Sequence, residues 1–524
     1  MKNKKLYSLC LYAALCAFSG TVAQAQTAGV QSEGIEIDVA SPQWKISEYL
    51  TGGHFVYGLE NDTLYMDERI SDFLKTSRSK VIRWPGGTVT QCYHWDDLTG
   101  IPYPVEYDSW GNKFNESMRK KPECYMDLDE YIAYCRKVGA DPMVGINIRS
   151  GNKYQGPGKG LEGSLDEARR LIQYCKDKNY NVKNWYIGNE SYIMFRKENY
   201  IKYSEFIDKY AEVLRAVDPD INIIGDWQFG GRLKQVVNLV RQSKHINMME
   251  IHEKWGNGFG MKSGNTFEEW KHEYPIYKGQ LGRYIDQFKD SVKVMGREDV
   301  KIAMNEWGLS GKNYADTDPF KCGLMAADFL MELYKHDVQM ACYWNLNAGG
   351  ADTKILKVQK DTVDYARTRL LEVTPVGNPF ILLGSAGGKQ MLSFTTPMQE
   401  VYGFAAVNED QSAVDVYLLN KKEQEVTLPL TLQHFDGAQQ MVQYCYENPG
   451  LIEEKTYEKG NFEMVLPALS FSRFVIQRGE ATGIEPLPVE TYQQSEVVFD
   501  LGGKQVSHPT KGVYIVNGKK LMIK

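Results

Sequence analysis

Cysteine and histidine never occur at metal-type spacings in this chain, although it has nine cysteines and eight histidines. Cys10 and Cys16 lie within the first 25 residues, and the other seven cysteines are an odd number scattered along the chain. Disulfides therefore cannot be assigned, and most thiols are expected to be small buried apolar groups. His94 and His252 lack a partner at metal-ligand spacing, which favours hydrogen bonding or packing. We expect no metal and no cofactor.

A charge bias and long apolar segments are also missing. The net charge is −6 with both signs interspersed, so no basic face is available for nucleic acid or an anionic membrane surface. No stretch beyond the leader is apolar for long enough to span a membrane. With 43% of 524 residues hydrophobic, the chain can fill a large core and a smaller one. A neutral or weakly charged ligand is expected.

The N-terminus has the pattern of a secretory signal peptide. Three lysines in Met1–Lys5 precede an apolar run, Leu6–Phe18, that is too short for an ordinary spanning helix. Ala23 and Ala25 supply the small residues of a peptidase site, so residues 1–25 are predicted to be removed. The mature protein is expected to be secreted, periplasmic or at the cell surface.

Short apolar or β-branched runs alternate with helical patterns over residues 47–374, which is typical of βα units around a parallel sheet. The predicted strands are His54–Leu59, Val81–Pro85, Met143–Ile148, Asn184–Gly188, Ile221–Trp227, Met248–His252, Lys301–Asn305 and Met340–Leu346. Predicted helices include Leu128–Lys137, Leu165–Asp177, Tyr200–Val217 and Phe320–His336. Eight repeats predict an α/β fold, the (β/α)8 TIM barrel.

After Pro375 the texture changes to short alternating strands separated by turns. This pattern predicts an antiparallel β-sandwich over residues 375–480. Residues 26–46 form an N-terminal segment in which Gly34–Val39 also alternates, as a candidate strand of that sandwich.

The last segment, residues 481–524, is predicted to begin with a linker marked by Pro486 and Pro488. Val497–Lys524 then resembles the C-terminal sorting segments of secreted Bacteroidota proteins. The resemblance implies contact with secretion machinery; a small β-unit packed on the sandwich is the alternative.

Two glutamates directly follow predicted barrel strands. Glu190 ends the fourth strand and Glu306 ends the seventh, and catalytic groups of TIM barrels lie at such C-terminal ends. Strands three apart in a closed barrel allow their side chains to converge over its mouth. Glycoside hydrolysis needs two carboxyl groups in this relation, one to protonate the leaving oxygen and one to attack the anomeric carbon or activate water. A salt bridge is the alternative for either glutamate alone.

The motifs around these glutamates resemble those of family 51 α-L-arabinofuranosidases. The matching segments are Val81–Gly87 (VIRWPGG), Cys135–Pro142 (CRKVGADP), Tyr180–Trp185 (YNVKNW), Asn189–Glu190 and Glu306–Gly308 (EWG). The resemblance spans most of the barrel. It implies a (β/α)8 barrel with a C-terminal β-sandwich, net retention of anomeric configuration and no required metal.

The resemblance also implies residue roles. Glu190 would be the acid/base and Glu306 the nucleophile. Asn189 would hydrogen-bond the sugar hydroxyl beside the reacting carbon. Arg83 would support the nucleophile by its charge, with a structural ion pair as the alternative.

Other candidate sugar-binding residues include departures from the family pattern. Tyr57 stands where the family has a sugar-binding carboxylate, and Thr88 stands where it has an asparagine. His252 is kept, followed by Trp255 where an aromatic ring could stack on sugar. Trp307 and Trp344 lie near strand ends, where stacking on sugar and core packing are equal alternatives. These departures alter the predicted sugar pocket and leave the two glutamates unchanged.

The predicted function is that of a secreted retaining glycoside hydrolase. We expect an α-L-arabinofuranosidase-like enzyme that acts by double displacement on plant or algal oligo- or polysaccharides. A glycosidase of the same clan for another furanoside or a galactoside remains an alternative, as does a non-catalytic carbohydrate-binding barrel. Two carboxyl groups at reacting distance argue for the enzyme, because a binding protein has no need of them.

Overall fold

The structure is a computed structural model. It describes residues 34–91, 93–96, 121–149, 160–195, 200–227, 233–255, 266–309, 318–344, 346–347, 354–359, 361, 367–457, 462–479, 498–499, 512–516 and 519–523. The predicted signal peptide and the predicted linker lie outside these residues. In the part of the chain just given, no helix is both long and apolar enough to cross a membrane.

Eight parallel strands form a closed barrel, so the TIM-barrel prediction is confirmed. Each strand pairs with the next along the chain, and the last returns to the first through Cys342 beside Gly52. The barrel strands are β2 (Gly52–His54), β3 (Val81–Trp84), β4 (Asp141–Ile146), β5 (Asn184–Ile187), β6 (Asn222–Asp226), β7 (Met248–Trp255), β8 (Lys301–Leu309) and β9 (Met340–Tyr343). A further hairpin follows the barrel, β10 (Leu356–Gln359) and β11 (Arg369–Val373).

Helices surround the barrel and cover its apolar outer wall. They are α1 (Asp62–Tyr65), α2 (Glu68–Thr76), α3 (Leu128–Val138), α4 (Gly160–Asp177), α5 (Ser191–Met194), α6 (Tyr200–Val217), α7 (Leu233–Gln242), α8 (Phe267–Trp270), α9 (Gln280–Val294), α10 (Pro319–Lys335) and α11 (Asn378–Gly384). Short 3-10 turns occupy Gly87–Gln91, Pro122–Cys124, Ile276–Gly279 and Pro375–Gly377.

Local sequence explains where these helices begin and end. In α3, Asp127 and Glu130 form a reciprocal capping box, and Gly139 takes the left-handed conformation, φ 73°, that ends the helix. α6 has the predicted bounds. α4 begins earlier than predicted, at Gly160, and Leu161 in its first turn packs against the core.

Strands β7 and β8 continue past their predicted ends. Their pairing shifts register between Glu250 and His252, after which His252 pairs with Glu306. Such a bulge re-aims the following side chains. Glu306 is therefore inside a strand, directly beside a histidine of the neighbouring strand.

The second body is a nine-stranded sheet with strand order β17-β16-β19-β14-β13-β12-β1-β15-β18. Its strands are β1 (Ile35–Lys45), β12 (Gln390–Thr395), β13 (Val401–Val407), β14 (Ala413–Asn420), β15 (Val426–Gln433), β16 (Ala438–Glu447), β17 (Leu451–Tyr457), β18 (Glu463–Leu466) and β19 (Ser470–Arg478). The sheet curls around its own apolar core and is antiparallel except where β1 meets β15. The sandwich prediction is confirmed, and the N-terminal strand belongs to this sheet.

The C-terminal segment forms a separate three-stranded sheet. Its strands are β20 (Val498–Phe499), β21 (Gly512–Val516) and β22 (Lys519–Ile523), and all pair antiparallel.

Barrel and nine-stranded sheet are joined by a buried ion pair. Lys421, just after β14, places its Nζ 2.7 Å from Asp328 Oδ2 on α10, and both side chains are fully buried. The same ammonium donates to the carbonyl oxygens of Trp270 and Glu273 and lies 4.1 Å from the centre of the Trp270 ring. Asp328 also accepts a hydrogen bond from Trp270 Nε1 at 2.8 Å. The hydrogen-bond acceptors and the carboxylate that hold this lysine of the sheet thus belong to the barrel.

Candidate active site

Glu190 and Glu306 face each other at the barrel mouth. Glu190 follows β5 in a left-handed conformation, φ 46° and ψ 46°, and its side chain is 27% exposed. Glu306 extends from β8 with a side chain only 4% exposed. One carboxylate oxygen of each lies within 4.8 Å of the other. A single sugar carbon can therefore lie within reach of both groups.

His252 lies between the two carboxylates. Its Nδ1 is 3.6 Å from Glu190 Oε1 and 3.6 Å from Glu306 Oε2, while its Nε2 is 3.2 Å from Glu250 Oε1. Burial opposes protonation of this ring, but Glu306, followed by Glu190 and Glu250, raises the pKa of His252 to about 10. At neutral pH the ring is an imidazolium that contacts three carboxylates.

A buried ion pair lies beneath Glu190 and Glu306. Arg83 Nη2 donates to Glu250 Oε1 at 2.8 Å and to Asn189 Oδ1 at 2.9 Å. Its Nη1 lies 3.9 Å from Glu306 Oε2. Burial disfavours both charges, but the attraction between the two groups outweighs it. The charge of Glu250 raises the pKa of Arg83, and the charge of Arg83 lowers the pKa of Glu250, so both groups stay ionised. Arg83 therefore makes a structural ion pair and also faces the predicted nucleophile.

Sequence reasoning missed Glu250 and Asn305. Asn305 Nδ2 donates to Glu250 Oε2 at 3.0 Å, so the carboxylate is held by an arginine, an amide and a histidine. A signal was present in the sequence, because Glu250 and Arg83 each interrupt an apolar barrel strand. A charge in such a strand needs a buried partner of opposite sign.

The turn that carries Glu190 is fixed by Asp226 at the end of β6. Asp226 accepts hydrogen bonds from the Ser191 backbone N–H at 2.7 Å and from the hydroxyl groups of Ser191 and Tyr203. Burial, together with the charge of Glu250, raises the pKa of Asp226 to about 6. Asp226 thus determines the backbone position directly after the predicted acid/base.

A tyrosine of the same turn contacts the acid/base itself. The Tyr192 hydroxyl donates to Glu190 Oε1 at 3.0 Å. Its ring lies edge-on to Trp227 with centroids 6.3 Å apart. Sequence reasoning assigned no role to this tyrosine, since only the left-handed turn at Glu190 brings its hydroxyl back to the carboxylate.

The predicted sugar-binding residues differ in their surroundings. Tyr57 is 2% exposed, and its ring packs on Tyr93 at 4.9 Å. Thr88 is exposed in the turn after β3. Trp344 is partly buried at the end of β9 and meets the ring of His54 edge-on at 4.9 Å. Trp344 and Thr88 are therefore accessible at the mouth, whereas Tyr57 lies beneath its surface.

A glycine accommodates the Trp344 ring. Gly87 has φ +52°, and a Cβ at this position would lie 2.4 Å from Cη2 of Trp344. Only a residue without a side chain allows the indole to approach the loop backbone so closely.

Trp307 packs in the core and does not bind sugar. Of the two alternatives for this residue, sugar stacking is therefore wrong. Its ring is 0% exposed and stacks on Phe329 at 4.8 Å and on Phe380 at 5.7 Å. Side chains alternate along a strand, so Trp307 points outward where Glu306 points to the mouth. The backbone of Trp255 pairs with Leu309 in β7 and β8, but its side chain lies outside the described residues.

Glu190, His252 and Glu306 also form the one group of side chains, among those the structure describes, whose spacing suits a metal ion. The sequence spacing could not reveal it, because the three residues come from three strands. With a pKa of about 10, His252 holds a proton between the carboxylates, and a metal would have to displace that proton. His94 instead pairs with Glu167 at 2.9 Å.

Comparison with known proteins places these features in a family context. Residues 73–272 match the family model of the alpha-L-arabinofuranosidase 1 domain. This matched region includes Arg83, Asn189, Glu190 and His252. The chain therefore contains a region similar to that domain, as the motifs of its barrel indicated.

Two relatives are similar to this chain over different shares of its length. Alpha-L-arabinofuranosidase C of Emericella nidulans is 27% identical over 177 residues, which cover 30% of this chain and 31% of that protein. The chain thus spans about a third of the length of the first curated relatives it matches. Intracellular exo-alpha-(1->5)-L-arabinofuranosidase 1 of Bacillus subtilis is 19% identical over 80% of this chain and 87% of that protein.

A solved structure shares the whole architecture. The alpha-L-arabinofuranosidase of Thermotoga maritima, in complex with arabinose, has a TM-score of 0.64 and 21% identity, and the match covers 85% of this chain and 99% of that one. At this identity the likeness shows the fold, a TIM barrel with an attached β-sandwich.

Proposed function

We propose that the protein is a retaining glycoside hydrolase with Glu306 as nucleophile and Glu190 as acid/base. The observation that carries the proposal is the pair of carboxylate oxygens within 4.8 Å of each other at the barrel mouth. Retaining glycosidases have carboxyl groups about 5 to 5.5 Å apart, whereas inverting enzymes separate them by about 6.5 to 9.5 Å to admit a water. The observed separation supports direct attack by one carboxylate.

The surrounding charges support this division of roles. Glu306 is buried and faces the guanidinium of Arg83 and the imidazolium of His252, so its ionised form is stabilised for attack. Glu190 is more exposed, as suits a group that exchanges protons with a leaving oxygen and with water.

The reaction then proceeds in two balanced steps. In the first, a Glu306 oxygen bonds to the anomeric carbon while the glycosidic bond breaks and Glu190 gives its proton to the departing oxygen. In the second, water attacks the same carbon, Glu190 takes a proton from it, and the bond to Glu306 breaks. Both enzyme groups return to their starting states.

The charge of the site favours a neutral sugar. Arg83 and His252 contribute two positive charges, and Glu250 and Glu306 contribute two negative charges. Among the described side chains, Asp226 adds a further buried carboxyl group whose pKa is raised to about 6, so with Glu190 protonated these groups leave no net positive charge to attract an anionic glycoside. We therefore propose a neutral glycoside as substrate.

The first candidate is a terminal α-L-arabinofuranosyl residue of a plant or algal polysaccharide. The names of the relatives that match the barrel support this choice. Another furanoside or a galactoside is the rival, because Tyr57 and Thr88 replace a carboxylate and an amide in the family pattern. Loss of polar partners changes which hydroxyl pattern a pocket accepts.

We further propose that the enzyme acts outside the cytoplasm. Support comes from the signal-peptide pattern of residues 1–25 and from the resemblance of the last segment to sorting segments of secreted proteins. Fractionation of the producing cells, followed by mass spectrometry of both termini, would test this. Intact protein confined to the cytoplasm would refute it.

The function is tested with purified mature protein on aryl glycosides and on plant and algal polysaccharides. Glu306→Ala is expected to lose nearly all turnover, and Glu190→Ala to lose least on substrates whose leaving groups need no proton. Glu68→Ala, which changes an exposed glutamate on α2, is the matched control and should keep wild-type rates. NMR of the first-formed product should show retained anomeric configuration.

The outcomes separate the alternatives. Arabinofuranoside turnover that is lost in Glu306→Ala supports the complete proposal. Turnover of a galactoside alone would refute the substrate and leave the mechanism standing. An inverted product would refute the nucleophile assignment. Binding without turnover on every substrate would favour the carbohydrate-binding alternative.

A further inference from the structure

Oε1 of Glu190 is contacted by two groups that favour the ionised carboxylate. It accepts the hydrogen bond from the Tyr192 hydroxyl at 3.0 Å, and Nδ1 of His252 lies 3.6 Å away, beyond hydrogen-bond distance. The hydroxyl therefore holds this oxygen directly, and the imidazolium contributes its charge at longer range. Both effects stabilise Glu190 after it has given up its proton.

We propose that Tyr192 is a positioning residue that holds Glu190 through Oε1 and stabilises its ionised form when it gives its proton to the leaving oxygen. This inference rests on the proposed function. It concerns a residue outside the catalytic pair, and the phenol itself never transfers its proton.

The hydrogen bond assists departure of the proton. While Glu190 is protonated, Tyr192 donates to a neutral carboxyl oxygen. When the proton of Glu190 moves to the leaving oxygen and the glycosidic bond breaks, the same hydroxyl donates to a carboxylate, and such charge-assisted bonds are about twice as strong. The interaction therefore strengthens along the reaction coordinate, as transition-state stabilisation requires.

The donor persists at every working pH. Burial, followed by the nearby charge of Glu190, raises the pKa of Tyr192 far above its ordinary value, so the hydroxyl keeps its proton. Glu306 and Asp226 contribute to this shift from β8 and β6, and His252 faces Glu190 from β7. Tyr192→Phe removes only the donor and leaves these charged groups in place.

The test compares two leaving groups in Tyr192→Phe. For a glycoside with an alkyl or sugar leaving group, kcat/KM should fall about five- to tenfold, because a donor whose loss raises the pKa of Glu190 by one unit favours the ionised form by about tenfold at most. For a dinitrophenyl glycoside, whose leaving group needs no proton, the change should be less than about threefold. The alkaline limb of the pH–rate profile should move up by about one unit, because loss of the donor disfavours the ionised carboxylate.

A matched control removes an equivalent hydrogen bond elsewhere. The Tyr174 hydroxyl donates to Asp129 Oδ2 at 2.8 Å between outer helices. Tyr174→Phe should change neither the leaving-group dependence nor the alkaline limb. An effect in both variants would indicate a general response to lost hydrogen bonds and would overturn the proposal.

A second variant retains the hydroxyl in case Tyr192→Phe does not fold. Ring-fluorinated tyrosine at position 192 is a stronger donor, so the alkaline limb should move in the opposite direction, to lower pH. An equal loss on both leaving groups, or an unmoved limb in either variant, would show that Tyr192 only packs against Trp227.

One measurement needs no substrate and separates this inference from the proposed function. The carboxyl carbon of Glu190, labelled with 13C and followed by NMR, should titrate at higher pH in Tyr192→Phe than in the wild type. If the wild type hydrolyses no glycoside yet this shift is seen, the function is refuted and the hydrogen bond stands. An unshifted titration in an active enzyme refutes Tyr192 alone.

Discussion

Glu250→Gln tests whether the buried charged layer beneath Glu190 and Glu306 stabilises the barrel. The substitution keeps the shape of the side chain but removes the negative charge between Arg83 and His252. Arg83 and Glu250 are both 0% exposed, so water cannot replace the lost interaction. Arg83 would retain Glu306, at 3.9 Å, as its carboxylate neighbour in the described part of the chain.

The expected cost is large. Breaking a buried ion pair by removing one partner costs about 3 to 5 kcal/mol, and the only compensation left to Arg83 among the described carboxylates is the more distant Glu306. A typical protein unfolds with about 5 to 15 kcal/mol, so the variant should lose a substantial part of its stability. Its activity should also fall, since Arg83 would be drawn towards Glu306 and would weaken it as a nucleophile.

The assay is denaturant unfolding of both proteins at neutral pH. Glu68→Gln is the control, because Glu68 pairs with Lys137 at 2.8 Å while the two side chains are 69% and 37% exposed. An exposed pair of this kind is worth less than about 1 kcal/mol. If Glu250→Gln cost no more than Glu68→Gln, the view of Glu250 as an essential buried counter-ion would be wrong.

Three further perturbations follow from the site. Because the pKa of His252 is raised from 6.5 to about 10, the stabilisation that protonated His252 provides is complete below pH 6.5 and is lost as the pH rises through about 10. Urea unfolding should show a loss on the order of 5 kcal/mol over this range that His252→Gln lacks. Because the pKa of Asp226 is raised from 3.8 to about 6, the folded state binds this proton more tightly than the unfolded state, and the free energy of unfolding should decline as the pH rises between these values. Asp226→Asn should abolish that decline and should also reduce kcat. Gly87→Ala should raise KM by displacing Trp344, whereas Gly139→Ala, also at positive φ but with nothing within 4 Å of the added carbon, should alter stability alone.

The sequence predicts the barrel well because each βα unit repeats one pattern. It fails at the first strand, which is Gly52–His54 instead of His54–Leu59. Paired glycines argue against a strand when read alone. In the barrel, however, a Cβ on Gly52 would lie 2.5 Å from a methyl group of Val81 and 2.7 Å from the carbonyl oxygen of Ala341. Close approach of neighbouring strands requires the glycine, and sequence periodicity carries no information about that approach.

The candidate site is likewise only partly predictable from the sequence. Glu190 and Glu306 are identifiable because each ends an apolar run, a property of one segment alone. The contacts of Glu250, Asp226 and Tyr192 depend on neighbouring strands or on a left-handed turn. The sequence of any single segment therefore does not predict them. Strict alternation along β8, by contrast, would have placed Trp307 in the core.

The buried pair of Lys421 and Asp328 has a consequence for how such proteins can be recombined. Removing the sheet would leave Asp328 as an anion inside the outer wall of the barrel, and removing the barrel would leave Lys421 as a cation on a strand end. The outer wall of the barrel therefore has its counter-charge only while the sheet is in place. A chimera that joins this barrel to a relative's sheet should fold only if the donor sheet brings a lysine to the same place, or if both residues are exchanged together for apolar ones.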